Sequence, residues 1–445
     1  MKTLDLSVSK NSPFGMSWQL AKCSWQRSDC NCNGNVNGKL ENIANVVDKY
    51  VLVRKFLLLI TFTFLMCVNA FAQNSVECVL AEVEKNNTGL AALQMQLDAQ
   101  SISNKTGIYL QNPEFEYAWF AGNPDGIGNK TNISLRQQFD FPTAYLHKTR
   151  IANARNDQLL LEFENQRREL LFEARLICLE LINANIRAQE IGKRLQHAER
   201  MANAYETMFD AGETNIIELN KAKLNFLGLQ NQAERIEITR QSLQNKLAGL
   251  NGGIQIQLAD TSFYPISLSE DFEQWYVQAE ERNPVLKWLS QEIEINRKQE
   301  KLQKALSLPG FNTGYVSEIL TLEKFRGFAI GISIPLWENK NTVRYTKAHT
   351  SALQGSEHDK KLQFYNQLKA QHAQALSLNA SLQEYERLLQ SIDNTKLLAR
   401  AWEQGELSLT NYLLELSYYY QSVDNLLEME LELYQTLAGL NKYLD

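Results

Sequence analysis

The sequence contains few of the residues from which enzymes and metal sites are built. Its 445 residues include only 5 histidines and 6 cysteines, and no two histidines form an HxxxH pair. No Ser/His/Asp or Cys/His constellation has a recognisable spacing. We therefore expect no enzyme, no metal and no cofactor. The net charge of −6 and the pI near 5.6 give no indication of a positively charged surface that would bind nucleic acid.

The cysteines do not form a disulfide framework. They are Cys23, Cys30, Cys32, Cys67, Cys78 and Cys178. The first three lie in a stretch that we expect to be absent from the mature chain, and their CxC spacing is weak as a metal motif. Cys67 is a possible lipidation site, although the bulky Met66 precedes it. Cys178 is best explained as a buried helix residue.

No apolar run is long enough to be a typical membrane-spanning helix. Arg54 and Lys55 precede "FLLLITFTFLMCV", about 13 residues, whereas a span needs roughly 20. The following "NAFAQ" has the small-x-small pattern of a signal-peptidase site. We therefore predict a signal peptide at 53–72 and a mature start near Gln73, with a membrane anchor as the alternative. Residues 1–52 are interpreted as an over-extended start or a non-functional leader.

A tandem repeat covers the predicted mature chain. Matching residues keep their order, with offsets that fall from 196 to 193 to 190. The pairs are Leu90 with Leu286, Pro113 with Pro309, Pro142 with Pro335, Gly212 with Gly405, and Asn251 with Asn441. The sequence predicts a first repeat at 73–253, a linker or short strand at 254–269 and a second repeat at 270–445.

Each repeat is predicted to contain one long and two short helices. Residues 143–211 form a proline-free stretch with apolar side chains at helical spacing. As a single helix this stretch would be roughly 100 Å long. Two short helices laid end to end match that length, which favours rods packed as coiled coil. The remaining helical segments are predicted at 73–111, 213–250, 270–308, 336–404 and 406–440.

Two hairpins of alternating strands interrupt the helical pattern. The strands are predicted at 112–120, 132–141, 309–318 and 327–335, lengths that cross a bilayer when tilted. The residues predicted to face lipid are Phe115, Tyr117, Trp119, Phe139, Phe141, Phe328, Ile330, Ile332 and Ile334. Polar or small residues between them would face an aqueous lumen. A soluble hairpin that covers a core is the alternative.

Four strands cannot close a barrel, and open sheet edges are costly in hydrocarbon. Three copies would supply 12 strands, within the range of closed barrels. Each copy would also contribute four helical rods, so three copies would supply 12 rods for a helical cylinder below the barrel. The predicted fold is therefore mainly α with a small β part, in a homotrimer with a 12-stranded β-barrel continued by an α-helical barrel.

The repeat, the paired hairpins and two glycine turns resemble the TolC-like outer-membrane efflux protein family. The turns are "MFDAGETNIIELNKAK" and "AWEQGELSLTNYLLELS", with the hairpin tips near 212 and 405. The resemblance implies an outer-membrane trimer with a large periplasmic portion. It also implies a periplasmic membrane-fusion adaptor at the tips and an inner-membrane pump, of the resistance-nodulation-division type or another type.

By the same resemblance, the tips are predicted to contact the adaptor. The contact residues are Phe209, Gly212, Glu213, Thr214, Trp402, Gly405, Glu406 and Leu407. The candidate pore-entrance charges are Asp210, Glu213, Glu403 and Glu406, which threefold symmetry would arrange as cation-favouring rings. The alternative is that they are solvated turn charges, with Glu213 and Glu406 stabilising the following helix N-termini.

The predicted function is a passive duct that exports small molecules from the pump and adaptor to the outside. Secretion of a protein through a type I-like outer-membrane duct is one alternative. A soluble periplasmic coiled-coil scaffold is another. The sequence does not identify the cargo, the pump or the adaptor.

Overall fold

A computed structural model describes residues 75–123, 126–265 and 268–444. Within these ranges the chain forms nine helices and four strands. The predicted leader at 1–52, the signal peptide at 53–72 and the possible lipidation site Cys67 lie outside the described residues.

The two halves of the chain have the same order of elements, except that the long helix of the second half is divided in two. The first half comprises α1 (Ser75–Asn86), α2 (Thr88–Ser103), β1 (Glu114–Phe120), β2 (Lys130–Phe139), α3 (Pro142–Asp210) and α4 (Ile216–Leu250). The second half comprises α5 (Phe272–Arg282), α6 (Pro284–Leu306), β3 (Gly310–Ile319), β4 (Lys324–Ser333), α7 (Thr342–Ser391), α8 (Thr395–Glu403) and α9 (Leu409–Asn441). Residues 254–265 form no strand.

The short helix before each hairpin is divided by an asparagine. Asn87 ends α1 and caps α2, because its side chain accepts a hydrogen bond from the Leu90 amide. Asn283 occupies the matching position and accepts from the amides of Val285 and Leu286. An asparagine side chain that binds nearby amides competes with continuation of the helix, so the predicted helices at 73–111 and 270–308 each become two helices.

The long rod of the second half is shorter than predicted and is interrupted. We expected helix at 336–404, but α7 begins at Thr342 and ends at Ser391, and α8 begins only at Thr395. The Asp393 carboxylate accepts hydrogen bonds from the Thr395 amide (3.0 Å) and hydroxyl (2.7 Å), a local capping arrangement that competes with the helix ladder. In the first half, α3 is an uninterrupted helix of 69 residues.

The helices pack side by side in a fixed order. Both α2 and α4 pack on α3, α3 also packs on α6 and α9, and α7 packs on α6 and α9. These contacts arrange the helices in one layer. Helices α2 and α4, stacked end to end, form one edge of the layer, and α7 and α8 form the other edge. Near the tips α4 also touches α9.

The largest core lies near the middle of α3, where α1, α4, α9 and residues 256–263 meet. It includes Val83, Leu181, Leu247 and Phe263. Cys178 is fully buried there, and burial raises the pKa of its thiol to about 12. The sequence interpretation of Cys178 as a buried helix residue agrees with this position.

The four strands form one antiparallel sheet in the order β1-β2-β3-β4. The hairpins of the two halves therefore meet through β2 and β3, and β1 and β4 are the edge strands. The strands begin and end up to three residues from the predicted positions. Among the described helices, none is long and apolar enough to cross a membrane.

Candidate functional site

The first tip is a tight reversal between α3 and α4. Gly212 has φ +76°, and its amide and that of Glu213 donate to the carbonyls of Phe209 (3.0 Å) and Met208 (2.8 Å). These bonds satisfy the last carbonyls of α3, and glycine adopts the left-handed conformation without a Cβ clash. Asn215 then caps α4 by accepting from two amides.

The second tip repeats this geometry between α8 and α9. Gly405 has φ +74°, and the Gly405 and Glu406 amides donate to the carbonyls of Trp402 (3.0 Å) and Ala401 (2.9 Å). Ser408 caps α9 through a bond from the Asn411 amide. Glu213 and Glu406 both precede the capping residue, so neither lies in the first turn of the helix that follows.

The predicted adaptor-contact residues fall into two environments. Gly212, Glu213, Gly405 and Glu406 are exposed, as is Phe209, whereas Thr214 and Leu407 are half-buried. Trp402 is also half-buried, and its indole packs against the apolar core of the tip. Its position indicates a role in joining the helices of the tip.

Aromatic rings link α3, α8 and α9 above the tips. Trp402 stacks on Tyr412 with ring centroids 5.2 Å apart, and its indole Nε1 donates to the Tyr205 hydroxyl at 3.3 Å. The Tyr412 hydroxyl in turn shares a hydrogen bond of 3.0 Å with His197 Nε2. Burial, aided by Arg200, lowers the pKa of His197.

Tyr412 is the most deeply buried member of this group. It is 1% exposed, and burial, with smaller effects of Tyr420 and Glu403, raises its pKa to about 12. Tyr205, Tyr412 and His197 are not among the site residues predicted from the sequence. The two tyrosines stand seven residues before Gly212 and seven after Gly405, a spacing that could have indicated them.

Two polar contacts also join the first helical hairpin (α3 and α4) to α9 of the second. Lys221 Nζ donates to Glu218 Oε1 (2.8 Å) on its own helix and to Thr410 Oγ1 (2.9 Å) at the start of α9. Further from the tip, Arg194 of α3 binds Asp424 of α9 with both terminal nitrogens, at 3.1 and 2.8 Å. The two hairpins of one chain are therefore held together near their ends.

The four candidate entrance charges are all exposed. Asp210 and Glu213 lie at the first tip, and Glu403 and Glu406 at the second. In the described part of the chain none of them forms an ion pair. Their exposed positions are compatible with two roles: the carboxylates are solvated charges of the turns, or they form charged rings in an assembly of several copies. The described residues also contain no group of three or more His, Cys, Asp or Glu that could hold a metal.

One face of the sheet carries a row of apolar side chains that crosses all four strands. Phe115, Leu135, Tyr315 and Phe328 oppose one another in turn across the four strands, and directly opposed residues lie on the same face. The predicted lipid-facing residues Tyr117, Trp119, Ile330, Ile332 and Ile334 are also exposed, and Phe328 and Ile330 reach 87% and 83% exposure.

Two predicted lipid-facing residues have a different environment. Phe139 is the last residue of β2, and Phe141 lies beyond the strand at the N-cap of α3. Both are half-buried, and the ring of Phe141 lies 6.3 Å from that of Phe311. Phe141 therefore packs at the junction of sheet and helix.

The opposite face of the sheet is mainly polar. Ser134 donates to Glu116 across the first strand pair at 3.2 Å, and Lys130 forms an ion pair with Glu318 at 3.1 Å. Gly314 leaves room for its neighbours, since a Cβ there would stand 2.6 Å from the Leu135 carbonyl oxygen. The sheet thus has one mainly apolar, exposed face and one mainly polar face.

Solved structures of bacterial outer-membrane channels have the same fold. CusC matches with a TM-score of 0.70 and 16% identity over 84% of this chain and 92% of that chain. The CmeC outer membrane channel of Campylobacter jejuni matches with a TM-score of 0.63 and 15% identity, over 83% of this chain and 85% of its own. The MtrE outer membrane channel of Neisseria gonorrhoeae gives 0.64 and 13%, over 83% and 88%.

The chain therefore has the TolC-like fold that the sequence predicts. No protein-family model matches the sequence, and no curated protein matches it. The likeness is one of architecture, since the identities are 12–16%.

Proposed function

We propose that the chain is one protomer of a trimeric outer-membrane channel, a passive duct for small molecules with a large periplasmic portion. The observation that supports it best is the sheet, which exposes an apolar face and has two unpaired edge strands. A water-soluble protein rarely exposes an apolar face of this kind, whereas a bilayer favours it.

The dimensions of the sheet fit a bilayer. Strands β2, β3 and β4 each have 10 residues, about 33 Å of strand, and a tilt near 40° gives a band about 25 Å tall. The unpaired edges of β1 and β4 would each cost several kcal/mol per free backbone group in hydrocarbon. Three copies that pair β4 with the next β1 remove both edges and give 12 strands.

The helices support the same arrangement. The rod α3 is about 104 Å long at 1.5 Å per residue, and the helix layer, like the sheet, has two free ends. Three copies would close this layer into a hollow cylinder below the barrel. Because the polar face of the sheet would line the barrel, solutes could pass from the cylinder to the outside without crossing hydrocarbon.

The tips at Gly212 and Gly405 are the proposed contact with a periplasmic membrane-fusion adaptor, through which an inner-membrane pump would supply energy. Exposed side chains such as Phe209 and Glu406 are available there. CmeC and MtrE, which have the same fold, are outer membrane channels. We extend that activity to this chain as part of the proposal.

Purified protein in planar lipid bilayers tests the proposed channel. We expect discrete conductance steps and an oligomer that resists SDS until boiled. As a matched pair, Phe328→Lys should abolish insertion, because it places a charge on the apolar face. Ala329→Lys, one residue away on the polar face, should retain it. A chain that is monomeric and soluble without detergent would instead indicate a coiled-coil scaffold.

A further inference from the structure

We propose that Lys324 and Arg326, at the start of β4, bind the phosphate of a lipid headgroup in the outer leaflet of the membrane. This inference rests on the proposed outer-membrane channel, because it requires the apolar face of the sheet to lie against lipid. It adds a lipid-binding site at the outer end of the sheet and names the two side chains that form it.

The apolar face of the sheet carries charge at one place only. Across the four strands, the side chains of this face include no aspartate and no glutamate, and their only charged groups are Lys324 and Arg326. Both belong to β4, and Phe328, Ile330 and Ile332 follow them on the same face. The charges of this face are therefore two neighbouring cations without an acidic residue to balance them.

The opposite face has a different charge pattern. It carries acidic residues as well as cations, and Lys130 there is paired with Glu318 at 3.1 Å. Lys324 and Arg326 are exposed, and in the part of the chain that the structure describes neither side chain forms an ion pair or a hydrogen bond. Glu323, the nearest acid in the sequence, lies in the turn before β4. Both cations are therefore available to an anion from outside the chain.

The two cations lie at the end of the sheet that faces away from the helices. The turn between β3 and β4 directly precedes Lys324, whereas α6 and α7 connect to the opposite ends of these strands. In the proposed channel the helices are periplasmic, so the turn lies toward the outer leaflet. A charge on a lipid-facing strand is costly at the bilayer midplane and costs little near the interface. The position of Lys324 and Arg326 therefore suits contact with lipid headgroups.

Aromatic side chains accompany the two cations. The pairing of the strands places Trp119 in one row with Lys324, and Tyr117 in one row with Arg326. Tryptophan and tyrosine are enriched where the hydrocarbon of a membrane meets its headgroups. The next row toward the helices, which ends at Phe328, contains no charge. This end of the apolar face therefore has the composition of a membrane interface.

The chemistry of the pair selects phosphate. Residues two apart on a strand point to the same side and lie roughly 7 Å apart, so the long side chains of Lys324 and Arg326 can reach one group. A guanidinium binds phosphate with two hydrogen bonds, and an ammonium adds a mobile point charge. Such side chains also extend along an apolar surface toward headgroups. A phosphate-bearing lipid provides the complementary charge at this place.

Native mass spectrometry of the full-length oligomer in a nonionic detergent tests the site. The probes are dioleoyl phosphatidic acid and dioleoyl phosphatidylcholine, whose phosphate is balanced by choline. We expect phosphatidic acid to bind more tightly. Lys324→Gln and Arg326→Gln should each lower its affinity about fivefold, since a cation near an anionic membrane surface contributes about that factor. Lys324→Arg, which keeps the charge, should retain the affinity.

Arg136→Gln is the matched control. Arg136 is an exposed cation of the same sheet, but it lies on the polar face, so this change should leave the affinity for phosphatidic acid unaltered. Inorganic phosphate distinguishes a lipid site from a general anion site. At the same concentration as phosphatidic acid, it should not displace the bound lipid, because it lacks the acyl chains that lie against the apolar face.

Three results would overturn the lipid site and leave the channel intact. They are a conducting oligomer that binds the two lipids equally, one whose affinity falls as much with Arg136→Gln as with Arg326→Gln, and one from which inorganic phosphate displaces the lipid. A soluble monomer would overturn both proposals.

Discussion

Trp402 of α8 and Tyr412 of α9 stack with an interplanar angle of 13°, and this contact closes the second tip. Because α8 has no fully buried residue, its attachment depends on few side chains. We expect Trp402→Ala to destabilise the tip by about 2 kcal/mol and Tyr412→Phe, which keeps the stacking, by about 1 kcal/mol. Hydrogen exchange of the α8 amides measures both; equal protection in the three proteins would contradict the attachment.

The tip is expected to lose stability in acid through His197. Burial lowers the folded-state pKa of this histidine below its ordinary value of 6.5, so the unfolded state binds the proton first and acid favours unfolding. The loss of stability should begin as the pH falls through 6.5, and it should level off below the pKa of His197 in the folded state. His197→Gln should flatten the pH dependence of α9 exchange between pH 7 and pH 5. An unchanged profile would exclude His197 as the cause.

The reversal at Gly212 requires glycine for its backbone conformation. Gly212 has φ +76°, and a Cβ there would have open space, so Gly212→Ala should cost about 1 to 2 kcal/mol from the backbone alone. Gly192→Ala is the matched control, because Gly192 lies within α3 and also has open space around it. That change should stabilise by about 1 kcal/mol. Thermal unfolding of the two variants should shift in opposite directions.

The sheet is expected to be sensitive to bulk at Gly314 and tolerant at Gly327. A Cβ at Gly314 would approach the Leu135 carbonyl oxygen to 2.6 Å, whereas one at Gly327 has no neighbour within 4 Å. Gly314→Ala should therefore lower the temperature at which the SDS-resistant oligomer dissociates, and Gly327→Ala should not. Equal effects of the two changes would contradict the predicted crowding between β2 and β3.

Acidic rings at the tips would make the channel cation-selective. If Asp210 and Glu403 line the entrance, Asp210→Asn and Glu403→Gln should each lower the cation-to-anion permeability ratio without altering assembly. Reversal potentials in a salt gradient measure that ratio. A ratio equal to that of the unmodified protein would identify these carboxylates as solvated turn charges.

The sequence predicted α3 at 143–211, within one residue of Pro142–Asp210, because uninterrupted helical spacing without proline is a strong local signal. It did not predict the break at residues 392–394. That stretch contains neither proline nor glycine, and the side chain of Asp393 competes with the helix only through its specific bonds to Thr395. The sequence also did not predict that Trp402, one of the predicted contact residues, stacks on Tyr205 and Tyr412.

The helical segments, the two alternating hairpins and the glycine reversals can be read from the sequence alone, since each follows from periodicity or from backbone freedom at single positions. The pairing of β2 with β3 and the hydrogen bond between His197 and Tyr412 are visible only in the folded chain. In each case the two partners belong to different halves of the chain. Local sequence does not specify such pairings, because they depend on how the two halves pack against each other.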